Sequence, residues 1–504
     1  MQQTEIRPLD GSGTARADAK LQRARRVLVV FALTLAALLY LDRVCISQSQ
    51  QLIAGDLGLT KKQMGLAMTV FGVAYGLFEI PLGWLGDRVG PRRVLTCVVG
   101  WWSFFTVATG WVSGFVSLLG ARFLFGAGEA GCFPNLTKAF STWFAGADRT
   151  RVQSLMWVAA RWSGAFTPLV VVAVLDVATW RQSFFLFGAI TLVWAALFYR
   201  WFRDRPEATL SPVRRETSPS EGSRFEPLNC GDLPAKTSEN SPSPIGWERA
   251  GVRVHGEPKP PTLDAYRGHE PTRPSLHSPD GGEGEEPPVP WGRFLRSRSV
   301  WLLCLQYACV SYGFWFYLTW LPTYIKEQFG LVEADRYLAA LLAAPPLFLA
   351  GASCWLTGWL TPRLVKRFGD VARVRRGLGV TGCALACLML LLSAQLKHPA
   401  LAMAAMGCSC FGNDMAMPGS WAGCMDLGGR FAGTLSGCMN TWGCLGGLLA
   451  PWTIPYILQA AGNDWAVVIR VIAGAYFIGA ISWLGIDPVT PVDRIEQPPK
   501  QPSV

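Results

Sequence analysis

Seven ionisable side chains lie inside long apolar runs of the sequence, where a charged group is costly. The seven are Asp42, Arg43, Glu79, Arg122, Glu129, Arg161 and Asp414. A charge within a lipid bilayer is expensive unless it is paired or hydrated, and such residues commonly line a substrate or ion pathway. We therefore expect these side chains to bind an anion, to carry protons or to pair with one another.

Arg43 is the first candidate for binding an anionic substrate. Its guanidinium offers two parallel donors that match a carboxylate, a geometry that lysine does not provide. Tyr40 precedes it by three residues, and Tyr75 in the next apolar run also offers a hydroxyl. The alternatives are a snorkelling or locking arginine at a helix end and tyrosines that only pack.

Arg122 and Glu129 are seven residues apart, which places them on one face of a helix. Burial favours the neutral form of a carboxyl group, whereas a nearby arginine favours the charged form. A substrate anion that recruits the arginine would therefore change the proton affinity of Glu129. This is a coupling mechanism in outline, and its alternative is a permanent structural ion pair.

Further polar residues in the apolar runs leave their roles open. Arg161 adds a second positive charge if it faces a cavity, which favours a dianion, or it anchors to Glu79 or Asp414. Glu79 lies four residues after Tyr75 on the same helix face and either carries a proton or pairs with a basic residue. Asn413 offers an amide that can bind substrate hydroxyls.

The apolar runs that hold these residues are typical of membrane-spanning helices. Half of the 504 residues are hydrophobic and 16% are charged, and the runs are close to twenty residues long. Apolar residues surround the whole helix in the first run, 27–40, so no face is reserved for water. The runs also lack the alternation of a transmembrane barrel. The sequence therefore predicts an all-α polytopic membrane protein.

Twelve apolar runs predict twelve helices in two bundles of six. They lie near 27–49, 64–84, 94–114, 117–140, 152–175, 182–202, 299–324, 337–361, 374–394, 399–420, 431–458 and 464–486. The chain between the bundles is rich in Pro, Ser, Glu and Gly and is predicted to be a disordered linker. The predicted domains are a tail (1–26), a bundle (27–202), the linker (203–298), a bundle (299–487) and a tail (488–504).

Lysine and arginine are concentrated in alternate loops, which predicts the orientation. These residues are Arg23, Arg25, Arg26, Arg88, Arg92, Arg93, Arg149, Arg151, Arg363, Lys366, Arg367, Arg373, Arg375 and Arg376. Positively charged loops stay in the cytoplasm. Both termini and the linker are therefore predicted to be cytoplasmic, with the chain embedded in the inner (plasma) membrane.

Other features exclude several partners. The net charge of +11 comes from residues that flank the apolar runs, and no nucleic-acid-binding signature is present. The fourteen cysteines lack metal-ligand spacing, so no metal site is expected. No small-residue cleavage site follows the first apolar run, which predicts a retained helix rather than a signal peptide.

The loop after the second run carries a motif that is repeated after the eighth. It reads Gly83-Trp-Leu-Gly-Asp87-Arg88-Val-Gly-Pro-Arg92-Arg93, and its partial copy, 358–369, lacks the acid. Gly83 allows close helix approach, and Asp87 beside Arg88 and Arg92 can form charged contacts that lock the cytoplasmic side. The alternative is a solvated basic loop. The repetition indicates duplicated halves with a central site between them.

This motif closely resembles the loop signature of the major facilitator superfamily. A finer resemblance, to its anion:cation symporter branch of sugar-acid, hexuronate and phthalate-type permeases, is carried by residues 40–43, 122–130, 316–324 and 433–451. The resemblance implies a major facilitator fold that moves a small organic anion by alternating access. It also implies that Glu129 and Asp42 carry protons, that Arg122 tunes Glu129, and that tyrosines at these positions contact substrate.

The resulting prediction is a proton-coupled symporter without a cofactor. Sodium coupling stays open, and a monomer in the lipid bilayer is expected. An enzyme is disfavoured because the sequence has no nucleophile motif, phosphate loop or metal cluster. A drug:proton antiporter is a rival, although only Gly164 and Pro168 represent the antiporter motif in the fifth run. A sensor with a transporter fold is a third class.

Overall fold

The computed structural model describes residues 11–204, 288–330 and 336–492, and within these ranges the regular structure is helical. One 3₁₀ turn, Gly429–Phe431, joins two of the helices. The α-helices are α1 (Gly11–Asp56), α2 (Lys61–Val89), α3 (Pro91–Thr109), α4 (Phe115–Glu129), α5 (Cys132–Trp143), α6 (Ala147–Leu175), α7 (Trp180–Trp201), α8 (Trp291–Arg296), α9 (Arg298–Thr319), α10 (Leu321–Phe329), α11 (Arg336–Phe368), α12 (Val371–Ser393), α13 (Pro399–Gly428), α14 (Ala432–Ala460) and α15 (Trp465–Gly485).

Each of the twelve predicted runs coincides with one helix or with two consecutive helices, which confirms the predicted fold class. The fourth run is divided between α4 and α5, and the seventh between α9 and α10. The second break has a clear cause, because a proline in the first turn of α10 lacks the amide proton that a continuous helix needs. In the described part of the chain, α1, α2, α6, α7, α9, α12 and α15 are long and apolar enough to cross a membrane.

The two halves meet along two pairs of helices, α2 with α14 and α6 with α11. Within the first half α1 packs on α6 and α3 on α7, and within the second half α9 packs on α14 and α11 on α13. Each half thus contributes its second and fifth long helices to the interface. This equivalence agrees with the duplication that the repeated loop motif indicates.

Glycines bring the backbones of the two halves together. A Cβ atom on Gly83 of α2 would collide with the carbonyl oxygen of Gly433, at the start of α14. A Cβ on Gly433 would in turn lie 2.6 Å from the Gly83 carbonyl oxygen. Small residues are what allow helices to approach this closely in membrane proteins. The predicted role of Gly83 in close helix approach agrees with this contact.

Two segments outside the predicted bundles are helical in the structure. The end of the predicted linker is ordered, because α8 buries Phe294 in an edge-to-face contact with Phe431, at 6.4 Å between ring centroids. The predicted tail 1–26 is helical from Gly11 onward, where Ala, Lys, Leu and Arg are good helix formers. Residues 205–287 of the predicted linker lie outside the described residues, as do 1–10 and 493–504.

Candidate functional site

Arg43 of α1 and Glu129, the last residue of α4, form an ion pair. The Arg43 Nε donates to Glu129 Oε1 at 2.5 Å. The Glu129 side chain is almost fully buried, whereas a quarter of the Arg43 side chain, 25%, remains exposed. The pair thus joins a buried carboxylate to a cation that still has an open side.

Aromatic rings surround the Arg43 guanidinium. Its central carbon lies 4.7 Å from the ring centroid of Tyr75, 5.4 Å from that of Phe71 and 5.9 Å from that of Tyr40. The Arg43 Nη2 atom is buried without a hydrogen-bond partner among the described residues, and so is Glu129 Oε2. The ion pair therefore leaves one donor and one acceptor free for a ligand or a proton. The predicted neighbours Tyr40 and Tyr75 do lie beside Arg43.

Arg122 does not form the ion pair with Glu129 that the seven-residue spacing allowed. Its guanidinium lies on the rings of Phe71 and Phe125, 4.8 and 4.7 Å from their centroids. Its Nε has no hydrogen-bond partner within the residues that the structure describes. Because Arg43 reaches Glu129 from another helix, it occupies the position that a partner from α4 itself would take. Sequence spacing within one helix carries no information on this contact.

Asp42, which precedes Arg43 on α1, contacts α3 and α7. Its Oδ2 accepts a hydrogen bond from Trp102 Nε1 at 3.1 Å and one from Thr191 Oγ1 at 3.4 Å. Its Oδ1 is buried and has no partner from the described ranges. Neutral donors from α3 and α7 thus hold this carboxyl group. Such a group is able to bind a proton without first breaking an ion pair.

Arg161 and Asp414 form a bidentate ion pair between the two halves. The Arg161 Nε and Nη2 atoms donate to the two Asp414 carboxylate oxygens at 2.7 and 2.9 Å, and both side chains are buried. The guanidinium also lies 3.7 Å from the ring centroid of Phe314, and its Nη1 donates to the Tyr40 hydroxyl at 3.3 Å. Of the alternatives considered for Arg161, the structure shows the anchor to Asp414.

Asn413 lies beside this pair and keeps one polar atom open. Its Nδ2 donates to Asp414 Oδ1 at 3.2 Å. Its Oδ1 is buried and accepts no hydrogen bond from the part of the chain that the structure describes. The side chain is thus held in place at one end and retains an acceptor for a substrate hydroxyl at the other.

Glu79 of α2 contacts the opposite half without a basic partner in the described residues. Asn440 of α14 donates its amide to the Glu79 carboxylate, and the Cys444 thiol lies 3.7 Å from the second carboxylate oxygen. Asn440 also lies 3.4 Å from the Tyr75 hydroxyl. The sequence left two roles open for Glu79, proton binding and pairing with a basic residue. The described residues do not show the second of these. No pattern in the sequence indicates Asn440 as the partner of Glu79.

We expect the Arg161–Asp414 pair to show strong coupling in a double-mutant cycle. Arg161→Met leaves Asp414 buried and uncompensated, which should cost about 3–5 kcal/mol, whereas the double variant with Asp414→Leu should recover most of that loss. The measurement is thermal unfolding of the purified protein. Asp56→Asn, which breaks the exposed pair with Arg181, is the control and should cost at most about 1 kcal/mol. If Arg161→Met and the double variant unfolded at the same temperature, strong coupling between Arg161 and Asp414 would be contradicted.

Asp87 binds the start of α14 at the end of the helices that carries the basic loops, which we call the basic end. Its carboxylate accepts the backbone N–H groups of Gly433 and Thr434 at 2.9 and 2.6 Å and the Thr434 hydroxyl at 2.7 Å. Lys138 Nζ lies 3.1 Å from it. The amino end of a helix carries unpaired N–H groups and partial positive charge, so it attracts a carboxylate. Asp87 therefore ties the two halves together.

Arg88 and Arg92, which the motif places beside Asp87, contact other groups in the structure. Arg88 lies over the ring of Trp84, 5.5 Å from its centroid. Arg92 donates from Nη2 to the Tyr199 carbonyl oxygen at 2.6 Å, and its backbone N–H donates to Asp204 at 2.7 Å. Arg92 belongs to the first turn of α3, which packs on α7, so its contacts lie within the first half. Asp87 ends α2 and faces α14 instead.

A second ionic cluster at the basic end was not anticipated from the sequence. Asp426, near the end of α13, forms ion pairs with Arg149 of α6 and Arg375 of α12. Arg375 also donates to Thr150 Oγ1 at 3.1 Å and to the Gly146 carbonyl oxygen at 3.2 Å. The repeated loop lacks an acid, but Asp426 supplies one from a different helix. Together with Asp87, this cluster closes the basic end.

We expect Asp87→Ala to open the basic end while the protein stays folded. The change removes four contacts of Asp87 with Lys138 and the start of α14. Spin labels attached at positions 93 and 373, both exposed and one in each half, should report a longer distance in this variant. Asp56→Ala, which removes a carboxylate from the surface pair with Arg181, is the control. An unchanged distance distribution in Asp87→Ala would show that this contact does not hold the halves together.

Comparisons with known proteins give independent information on the family and the fold of this chain. The family model described as Major Facilitator Superfamily matches residues 32–451. A protein named "Probable sulfoacetate transporter" from Cupriavidus necator is 28% identical over 458 residues, which cover 91% of this chain and 93% of that protein. A D-galactonate transporter of Escherichia coli is 24% identical over 471 residues, which cover 92% and 96%. The crystal structure of the Escherichia coli fucose:proton symporter shares the fold, with a TM-score of 0.61, 14% identity, and coverage of 92% of this chain and 98% of that chain.

Proposed function

Because the chain belongs to the Major Facilitator Superfamily, we propose that it is a proton-coupled symporter that takes up a small organic anion by alternating access. The chain is a multi-pass membrane transporter and not an enzyme. Its relatives named for sulfoacetate and galactonate both carry organic acids. The proposal places the protein as a monomer in the inner membrane, with its basic end and both termini in the cytoplasm.

The observation that carries the proposal is the half-satisfied Arg43–Glu129 pair. Arg43 keeps one exposed side and one unpartnered donor in the described structure, next to the rings of Tyr75 and Tyr40. An arginine in such surroundings binds a carboxylate through charge-assisted hydrogen bonds. The aromatic rings shield this contact from water, which strengthens it. Arg43 is thus the anchor for the acid group of the substrate.

Proton coupling follows from competition for Arg43. When the substrate carboxylate takes the guanidinium, Glu129 becomes a buried carboxylate without its cation. A buried, unpaired carboxyl group favours its neutral form, so Glu129 binds a proton as the anion arrives. Anion and proton then cross together, and release of the anion returns Arg43 to Glu129 and expels the proton.

Asp42 and Arg122 complete the proposed coupling group. Asp42 is held only by Trp102 and Thr191 among the described residues, so it is able to hold a proton without breaking an ion pair, whether or not the anion is bound. Arg122 is buried on Phe71 and Phe125 and contributes positive charge beside Asp42 and Glu129. A proton gradient is the driving force in this proposal, and no cofactor takes part.

The ion pair of Arg161 with Asp414 favours a substrate with one carboxylate and additional hydroxyl groups. Asp414 occupies two donors of Arg161. Arg122 also has an unpartnered donor among the described residues, but its side chain is buried, whereas the Arg43 side chain is partly exposed and offers its donor to an acid group. The free Oδ1 of Asn413 accepts a hydrogen bond from a hydroxyl group. Aldonates and hexuronates have this chemistry. A dianion requires Arg161 to leave Asp414.

The test is uptake into liposomes that contain the purified full-length protein. Candidate substrates are presented under an inward proton gradient, and separately under an inward sodium gradient. They are aldonates, hexuronates, dicarboxylates, sulfoacetate, aromatic acids and cationic drugs. We expect accumulation of one acid class with the proton gradient. Accumulation with sodium alone would contradict proton coupling. Export of a cation in exchange for protons, without movement of any acid, would establish an antiporter instead.

A further inference from the structure

A groove at the basic end carries three cations that the ion pairs described above do not use. It lies where α6 of the first half meets α11 of the second and encloses about 390 Å³. Arg151, Arg363 and Lys366 line it, and all three are exposed. None of them forms an ion pair with a carboxylate in the part of the chain that the structure describes. The groove therefore concentrates positive charge that no carboxylate of the described residues neutralises.

Two tryptophans form one wall of this groove. Trp355 and Trp359 lie four residues apart on one face of α11 and are 54% and 46% exposed. The Arg363 guanidinium lies 3.6 Å from the Trp359 ring centroid and donates to the Trp359 carbonyl oxygen at 2.7 Å. Tryptophan is enriched where a membrane meets water. The wall thus places exposed apolar rings beside cations, the combination that suits the boundary between membrane and water.

Both halves of the transporter build the groove. Arg151, Ser154 and Leu155 come from α6, and the remaining lining residues come from α11. Gly358 allows the helices to touch, because a Cβ at this position would lie 2.6 Å from the Ser154 Cβ. A ligand in the groove therefore contacts the two halves at once and stabilises the arrangement in which the basic end is closed.

We propose that this groove binds the phosphate-bearing headgroup of an anionic membrane phospholipid. Basic pockets between membrane helices on the cytoplasmic side recognise such headgroups, and each cation near the surface adds to the attraction. Phosphate oxygens accept hydrogen bonds from the arginines and the lysine, while the acyl chains lie along the exposed tryptophan rings. A soluble phosphate would use the cations but not this apolar wall.

The test measures lipid binding to the full-length protein in nanodiscs. Discs of phosphatidylcholine are compared with discs that also contain cardiolipin or phosphatidylglycerol, and the thermal unfolding midpoint is recorded. We expect the anionic lipids to raise the midpoint of the wild-type protein. The variant Arg151→Gln, Arg363→Gln, Lys366→Gln should need about 100-fold more anionic lipid for the same shift, because three favourable cations are lost.

A matched variant separates a specific site from general surface charge. Arg93→Gln, Arg296→Gln and Arg373→Gln remove the same charge from exposed positions outside the groove, and this variant should respond to lipid as the wild type does. Equal responses of the two triple variants would overturn the proposal. An equal midpoint shift from inorganic phosphate or glycerophosphate, added to phosphatidylcholine discs, would assign the groove to a soluble anion and also overturn it.

Discussion

Arg43→Gln is expected to weaken binding of the transported acid by about 100-fold or more, because it removes the charge and the donor fork that hold the carboxylate. Arg43→Lys should recover only part of this loss, since a single ammonium group cannot form two parallel hydrogen bonds. The measurement is the concentration of acid that gives half-maximal uptake in proteoliposomes, together with binding to the purified protein.

The control for this prediction is Arg181→Gln, which removes a partly exposed arginine from a pair with Asp56. It should leave uptake and binding close to those of the wild type. Full retention of acid binding in Arg43→Gln would contradict the role of Arg43 as the anchor. Equal activity of Arg43→Lys and the wild type would instead show that charge alone, without the fork, is sufficient.

Glu129→Gln is expected to keep acid exchange and to lose accumulation driven by a proton gradient. Glutamine retains the shape and a hydrogen-bond acceptor for Arg43 but cannot bind or release a proton. Exchange of labelled for unlabelled acid across the liposome membrane should therefore stay within about 3-fold of the wild type. Accumulation against a gradient of the acid should fall to the level seen without a proton gradient.

A matched variant for Glu129→Gln is Asp56→Asn, which neutralises an exposed carboxylate paired with Arg181. It should transport and accumulate normally. Gradient-driven accumulation by Glu129→Gln would show that the coupling proton is carried elsewhere. Loss of exchange as well as accumulation, in a folded protein, would indicate that Glu129 is needed to position Arg43 rather than to carry the proton.

The fold was predictable because a bilayer imposes strong rules on sequence. Twelve apolar runs give twelve helical segments, and the basic loops and the repeated motif around Gly83 and Gly358 indicate two equivalent halves. Breaks within the fourth and seventh runs were not predicted, because apolar character continues across them. Helix α8 was missed as well, since its few apolar residues follow a Pro-rich stretch and gain stability from tertiary contacts such as that of Phe294 with Phe431.

The residue types of the candidate site were also predictable, but their partners were not. The cost of charge in lipid selects Arg43, Glu129, Arg161 and Asp414 from the sequence alone. Pairing depends on which helix faces are in contact, and that is decided by tertiary packing. Sequence spacing therefore favoured Arg122 as the partner of Glu129, whereas the structure shows Arg43, which is 86 positions away.

The contacts of Asp87 and Asp426 at the basic end illustrate the same limit. Asp87 was identified from its motif, yet its partners are backbone N–H groups at the start of α14, which no side-chain pattern reveals. Asp426 was missed because it lies beyond the end of the predicted tenth run and resembled an ordinary loop acid. Its role depends on Arg149 and Arg375, which come from two other helices.

The central claim is that the substrate and Glu129 compete for Arg43, and proton uptake during binding tests it most directly. A pH-sensitive dye in weakly buffered solution reports protons taken up by the purified protein when the transported acid is added. The account predicts that the wild type takes up about one proton for each anion bound, and that Glu129→Gln binds the anion without taking up a proton. Anion binding to the wild type without proton uptake, or equal uptake by Glu129→Gln, would contradict it.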